Sequence, residues 1–151
     1  KRSNLPGLRS GFAAGGPESI NRMKRLRAYA GAPLPMPLQR AAEAVWADEA
    51  HVNENRALYR AKYAAADEIM AGVPGYLGPE AGFFLWLPVQ DGEEAALRLW
   101  QQTGVRVLPG AYLSQDTSQG NPGKAYIRVA MVAPIDEMAR GLTALRDCLY
   151  N

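Results

Sequence analysis

Apolar residues recur along this chain at two spacings, and the change between them comes near residue 71. Before it the spacing is helical. Gly15-Gly-Pro-Glu18 is a turn in which Pro17 suits a first helical position and Glu18 the positive end of a helix dipole. Ile20, Met23, Leu26 and Ala30 then fall on one stripe and predict a helix. Pro33, Pro35 and Pro37 alternate with Leu34 and Met36, which forces an extended connection. An alanine-rich helix follows over 38–47, with Ala41, Ala42, Val45 and Trp46 as its packing face. Asp48 is a plausible N-cap for the longest helix, which carries Val52, Tyr59, Tyr63, Ala66 and Met70 at helical spacing.

After residue 71 short apolar runs alternate with helices. Residues 82–89 are almost wholly apolar and predict a strand buried on both faces. Asp91-Gly-Glu-Glu94 opens a helix over 93–103, and Gly104 ends it in C-cap fashion. A short strand at 105–108 precedes a polar, glycine-containing loop over 114–124, with Asn121-Pro-Gly123 as its turn. Residues 125–132 predict a strand whose only charge is Arg128. Met138, Leu142, Leu145 and Leu149 mark a last amphipathic helix over 135–149. Residues 10–15, Ser-Gly-Phe-Ala-Ala-Gly, read as one more strand at the front. The order is strand, three helices, strand, helix, strand, strand, helix: an α/β chain with a compact α+β unit behind its opening segment.

Composition narrows the class. Hydrophobic residues make up 48% and charged residues 21% of the 151 positions, the balance of a folded globular protein. A net charge of +2 is too small to imply a nucleic acid or membrane partner. The basic cluster of Arg22, Lys24, Arg25 and Arg27 lacks interleaved aromatics and reads as a solvated helix face. Cys148 is the only cysteine, which points to a reducing, cytoplasmic setting. With His51 the only histidine, a zinc site of histidines and cysteines is excluded. The cluster Asp48, Glu49, His51 reads as cap and dipole chemistry, since its spacing does not bring all three to one helix face.

Three basic residues carry the candidate chemistry. Lys1 and Arg9 flank a Pro-Gly turn that can fold an amine and a guanidinium into one pocket. Pyridoxal phosphate asks this of its protein: an amine for a Schiff base and a cation for the phosphate. Arg128, in the middle of an apolar strand, is costly to bury without an anion. It is either an edge arginine turned to solvent or a cation placed for a carboxylate.

Lys1-Arg-Ser-Asn-Leu-Pro-Gly-Leu-Arg9-Ser-Gly, followed far downstream by Tyr126-Ile-Arg-Val, resembles the fold-type I aminotransferases of class I/II, the aspartate aminotransferase-like group. Pro79-Glu-Ala-Gly-Phe-Phe-Leu-Trp86 and Val107-Leu-Pro-Gly110 extend the resemblance through the chain, which looks like the C-terminal portion of such an enzyme. The opening motif, together with Asp48-Glu-Ala-His-Val-Asn-Glu-Asn-Arg56, is most similar to the N-succinyldiaminopimelate aminotransferase branch. The resemblance implies that residues 1–59 end a large cofactor domain and start a connecting helix, and that 60–151 form the small domain. It implies pyridoxal 5'-phosphate as cofactor, with Lys1 as the Schiff-base and proton-carrying lysine. It gives Arg9 the cofactor phosphate and Arg128 the substrate α-carboxylate, with no metal. It further implies glutamate as amino donor, an oxo acid as acceptor and a homodimer. A chain that opens on its candidate catalytic lysine, without an initiating methionine, is expected to be part of a longer protein. Two other readings share the scaffold: a C–S lyase, and the cofactor-sensing domain of a transcription regulator.

Overall fold

Prolines and glycines set most of the element boundaries. The computed structural model describes residues 2–151. After a 3-10 turn at Pro6–Leu8 come helices α1 (Pro17–Tyr29), α2 (Met36–Ala47) and α3 (Ala50–Ile69). Strand β1 (Phe84–Pro88), helix α4 (Gly92–Thr103), strand β2 (Leu108–Pro109) and a 3-10 turn at Gly110–Leu113 follow. Strand β3 (Tyr126–Ala130) and helix α5 (Ile135–Leu149) complete the order. Two compact units result, one ending at Ala57 and the other spanning Leu58–Asn151.

In the first unit Pro17 occupies the first turn of α1, as expected from its fixed φ. Helix α2 starts two residues earlier than its pattern predicts, because Pro37 also fits a first turn and lets Met36 join. Arg2 closes the other end of α2. Its guanidinium donates to the carbonyls of Val45 (3.1 Å), Trp46 (3.5 Å) and Asp48 (3.4 Å), pairs with Glu49, and lies 4.8 Å from the centre of the Trp46 ring. A cation there satisfies orphan carbonyls at the negative end of the dipole. Phe12 meets Trp46 edge-on at 5.3 Å. Ala42 and Val52 are buried, whereas α1 buries no residue. The strand expected over 10–15 is absent. No described segment pairs with these residues, and an unpaired strand has no ladder to hold it.

The second unit is built on an antiparallel sheet of order β1-β3-β2. Leu85 lies opposite Val129 and Leu87 opposite Ile127 on its inner face. Leu99 of α4, Met138, Leu142 and Leu145 of α5, Ala66 of α3 and Met70 just past its end pack against them. Each fully buried leucine is worth about 1.5–3 kcal/mol over an exposed one. The expectation that β1 is buried on both faces fails. Its burial alternates, with Trp86 40% exposed, because the helices cover only one side of the sheet. The strand expected at 105–108 shrinks to Leu108–Pro109, which pair with Arg128 and Ile127 of β3, and residues 105–107 make no ladder.

Caps fix α4. Asp91 accepts from the N–H of Glu93 and Glu94, and Gly104 ends the helix at φ 74°, a left-handed value that favours glycine. Loop 114–124 is tied down by Asn121. Its amide donates to Asp116 Oδ1 (3.0 Å) and the Ala111 carbonyl (3.3 Å), and its Oδ1 accepts from Gly123 N–H (2.9 Å). Among the described residues, no helix is long and apolar enough to cross a membrane.

Candidate functional site

The half-buried face of the sheet, opposite its core face, is where the strand-borne chemistry lies. Since alternate residues share a face, Phe84 and Trp86 of β1 stand beside Tyr126 and Arg128 of β3. Trp86 faces Arg128 directly in the register, yet the side chains pair along diagonals. The Trp86 indole stacks on Tyr126, 5.4 Å between centres at 19°. The Arg128 guanidinium lies over Phe84, 4.2 Å from the ring centre. Arg128 is half-buried and sits on the central strand, so it is neither an edge arginine nor a fully buried cation. Among the described residues its guanidinium has no carboxylate and no hydrogen-bond acceptor within reach. A planar fork of donors with its flank on an aromatic ring and its edge unclaimed suits a bidentate carboxylate.

Arg9 stands in the first unit, just after the 3-10 turn. Its backbone is left-handed at φ 50°, a conformation uncommon outside glycine and asparagine, and its N–H bonds back to the Pro6 carbonyl. The side chain is exposed. It makes one long contact, 3.5 Å, to that same carbonyl and pairs with no acid among the described residues. Most of its donors are therefore unclaimed among the described residues. Lys1 lies outside the described residues.

The cap reading of residues 48–51 holds with a shift of one position: the Glu49 carbonyl accepts the first helical bond, from Asn53 N–H, so Asp48 caps from the residue before the N-cap. Asp48 Oδ1 accepts from Ala50 N–H at 2.8 Å, and its Oδ2 meets His51 Nδ1 at 2.6 Å. The hydrogen bond from His51 is the largest cause holding the Asp48 carboxyl below its usual pKa. Glu49 turns to Arg2 instead.

Arg128 stands out in the sequence, whereas Phe84, its neighbour in space, does not. Two adjacent phenylalanines in an apolar run carry no sign of which one shares a face with a distant arginine. Only the strand register supplies it.

Comparison with known proteins decides the family. The sequence profile of aminotransferase class I and II matches residues 1–145. The chain belongs to the class I and II aminotransferases. Within this family it is similar to an aminotransferase from Neisseria meningitidis, with 41% identity and a TM-score of 0.86 over 97% of this chain and 38% of that one. A probable N-succinyldiaminopimelate aminotransferase from Thermus thermophilus superposes with a TM-score of 0.80 at 30% identity, covering 98% of this chain and 40% of the other. The 4-dedimethylamino-4-oxo-anhydrotetracycline transaminase OxyQ of Streptomyces rimosus is 32% identical over 96% of this chain. The match takes in 39% of OxyQ, so the chain spans about two fifths of that relative's length. The fold is that of a fold-type I aminotransferase in part, and the family is one of pyridoxal 5'-phosphate enzymes. Arg9, a guanidinium whose only described contact is one long bond, has the donor chemistry a phosphate requires.

Proposed function

We propose that the protein containing this chain is a pyridoxal 5'-phosphate-dependent aminotransferase that takes an amino group from glutamate and gives it to an oxo acid. The acceptor class we favour is N-succinyl-2-amino-6-oxopimelate, which places the enzyme in diaminopimelate and lysine synthesis. The observation that carries the reading is Arg128: a half-buried guanidinium on a central strand, lying over the Phe84 ring and lacking any described acidic partner. An arginine so placed is stabilised when a carboxylate arrives, and every amino acid and oxo acid substrate brings one.

The bound cofactor supplies an electron sink that makes the substrate Cα–H acidic. This chain's residues do the rest. Arg128 holds the α-carboxylate by two parallel hydrogen bonds and so orients the Cα–H bond. Arg9 binds the cofactor phosphate. Lys1 is the proton carrier and the covalent attachment point. Nitrogen balances across the two half-reactions: glutamate leaves as 2-oxoglutarate, and the oxo acid leaves as an amino acid.

Residues 1–59 belong, in this reading, to the end of the cofactor domain and the connecting helix, and 60–151 to the small domain. The working unit is a homodimer in the cytoplasm, a setting that the single free Cys148 suits. The similarity to the Thermus thermophilus protein favours the succinylated acceptor. Assay of the complete polypeptide with cofactor and glutamate against a panel of oxo acids tests the proposal. Conversion of the succinylated oxopimelate with matched release of 2-oxoglutarate supports it. Turnover confined to other oxo acids replaces the acceptor, and no transfer to any acceptor overturns the reading.

A further inference from the structure

The ring beneath Arg128 is itself held in place. Phe84 packs on Phe83 with centres 4.3 Å apart, and Phe83 packs on Tyr59 of α3 at 6.1 Å. Tyr59 in turn contacts Tyr63 at 6.4 Å, and the Tyr63 hydroxyl donates to the Gly82 carbonyl just before β1. Four rings thus form a row that ends against the guanidinium. On its other side, Trp86 is engaged with Tyr126.

A long arginine side chain loses several rotors' freedom when it grips a ligand, and that loss is subtracted from affinity. A ring that already holds one flat face of the guanidinium removes part of the cost beforehand. It also leaves the N–H donors at the edge of the fork unoccupied, since the attraction of cation to ring uses the face.

We infer that Phe84 is a positioning residue for carboxylate recognition, acting through Arg128 by stacking on its guanidinium and fixing the fork before the ligand binds. The inference rests on the reading of Arg128 as the carboxylate-binding residue. Phe84 touches no substrate in it. Its contribution is the orientation of another side chain.

The test uses the complete cofactor-loaded enzyme and glutarate, which has the carbon skeleton of glutamate but no amino group to transfer. Glutarate affinity is measured by calorimetry for the parent, Phe84→Leu, Phe84→Met, Phe84→Tyr and Arg128→Lys, alongside KM and kcat for glutamate. The two aliphatic variants fill similar space without a π face, so the test stands if one of them does not fold. The expected result is roughly two- to tenfold weaker glutarate binding in both, the loss that corresponds to re-ordering one long side chain. KM should rise by a similar factor with kcat little changed, and Phe84→Tyr should bind like the parent. Weakened binding in Arg128→Lys with parental binding in the aliphatic variants overturns the role of Phe84 and leaves Arg128 in place. Equal weakening in Phe84→Tyr and Phe84→Leu overturns the stacking argument. Unchanged binding in Arg128→Lys removes the reading of Arg128, and the inference with it.

Discussion

The indole of Trp86 rests against the bare Cα of Gly110. A Cβ added to Gly110 would lie 2.8 Å from Cη2 of Trp86 and would also overlap the carbonyl oxygen of Gly123. Backbone cannot yield as a side-chain tip can, so the glycine is required by space and not by its dihedral angles.

Gly110→Ala should therefore destabilise the protein by about 1–3 kcal/mol, the range for forcing an extra carbon into a packed site. Urea denaturation of the complete protein measures it. A midpoint equal to that of the parent would show that both the indole and the Gly123 backbone can move aside.

Asp91 should act as a cap whose strength depends on pH. Hydrogen bonds from the backbone N–H of Glu94, and then of Glu93, hold its carboxyl below the usual aspartate range, with Lys124 Nζ at 3.8 Å adding attraction. A depressed carboxyl stabilises the fold fully above the unfolded-state pKa, and the effect is lost as pH falls through the lower folded value. Asp91→Ala should then lower the thermal midpoint at neutral pH by a gap that narrows in acid. Asp91→Asn, which keeps the accepting oxygen, should fall between the two. A gap independent of pH would exclude the charged cap.

Tyr150 carries the opposite dependence. Its hydroxyl donates to the Pro88 carbonyl at 2.8 Å, and burial raises its pKa to about 12. The folded state thus keeps a proton that the unfolded chain releases, so stability falls as pH rises from the ordinary tyrosine value toward 12. Tyr150→Phe should cost about 0.5–1.5 kcal/mol near neutrality through the lost hydrogen bond. It should also flatten the alkaline decline seen in the parent. Denaturation midpoints collected across that alkaline interval decide the matter, and an undiminished slope in the variant would assign the decline to another group.

Elements defined by their own residues were legible in the sequence. Helix α5 covers the residues its stripe predicts, and α4 lies between the Asp91 and Gly104 that bracket it. Helix α3 likewise buries Val52 and Ala66 from its expected face, and Met70 is buried just past its end. What could not be read depended on distant partners. Residues 10–15 have a strand's composition but no described neighbour to pair with. The apolar run at 82–89 gave no sign that its Trp86 face would be left uncovered by helices. Arg128 stood out because a charge in an apolar strand is conspicuous. Its contact with Phe84 depends on a register that no local pattern encodes.

The strand order β1-β3-β2 bears on how this part of the molecule is assembled during synthesis. β3 hydrogen-bonds to both of the others, while β1 and β2 share no ladder. As the chain leaves the ribosome, Phe84–Pro88 must wait, apolar and without a strand to pair with, through the making of α4 and the polar loop. Only when Tyr126–Ala130 has emerged can any strand pair form, and closure of such distant contacts is slow. The residue at the centre of that keystone strand is Arg128. Assembly of the sheet and placement of the Arg128 guanidinium on its surface are therefore a single event, and nascent chains interrupted before it would expose Leu85 and Leu87 to aggregation.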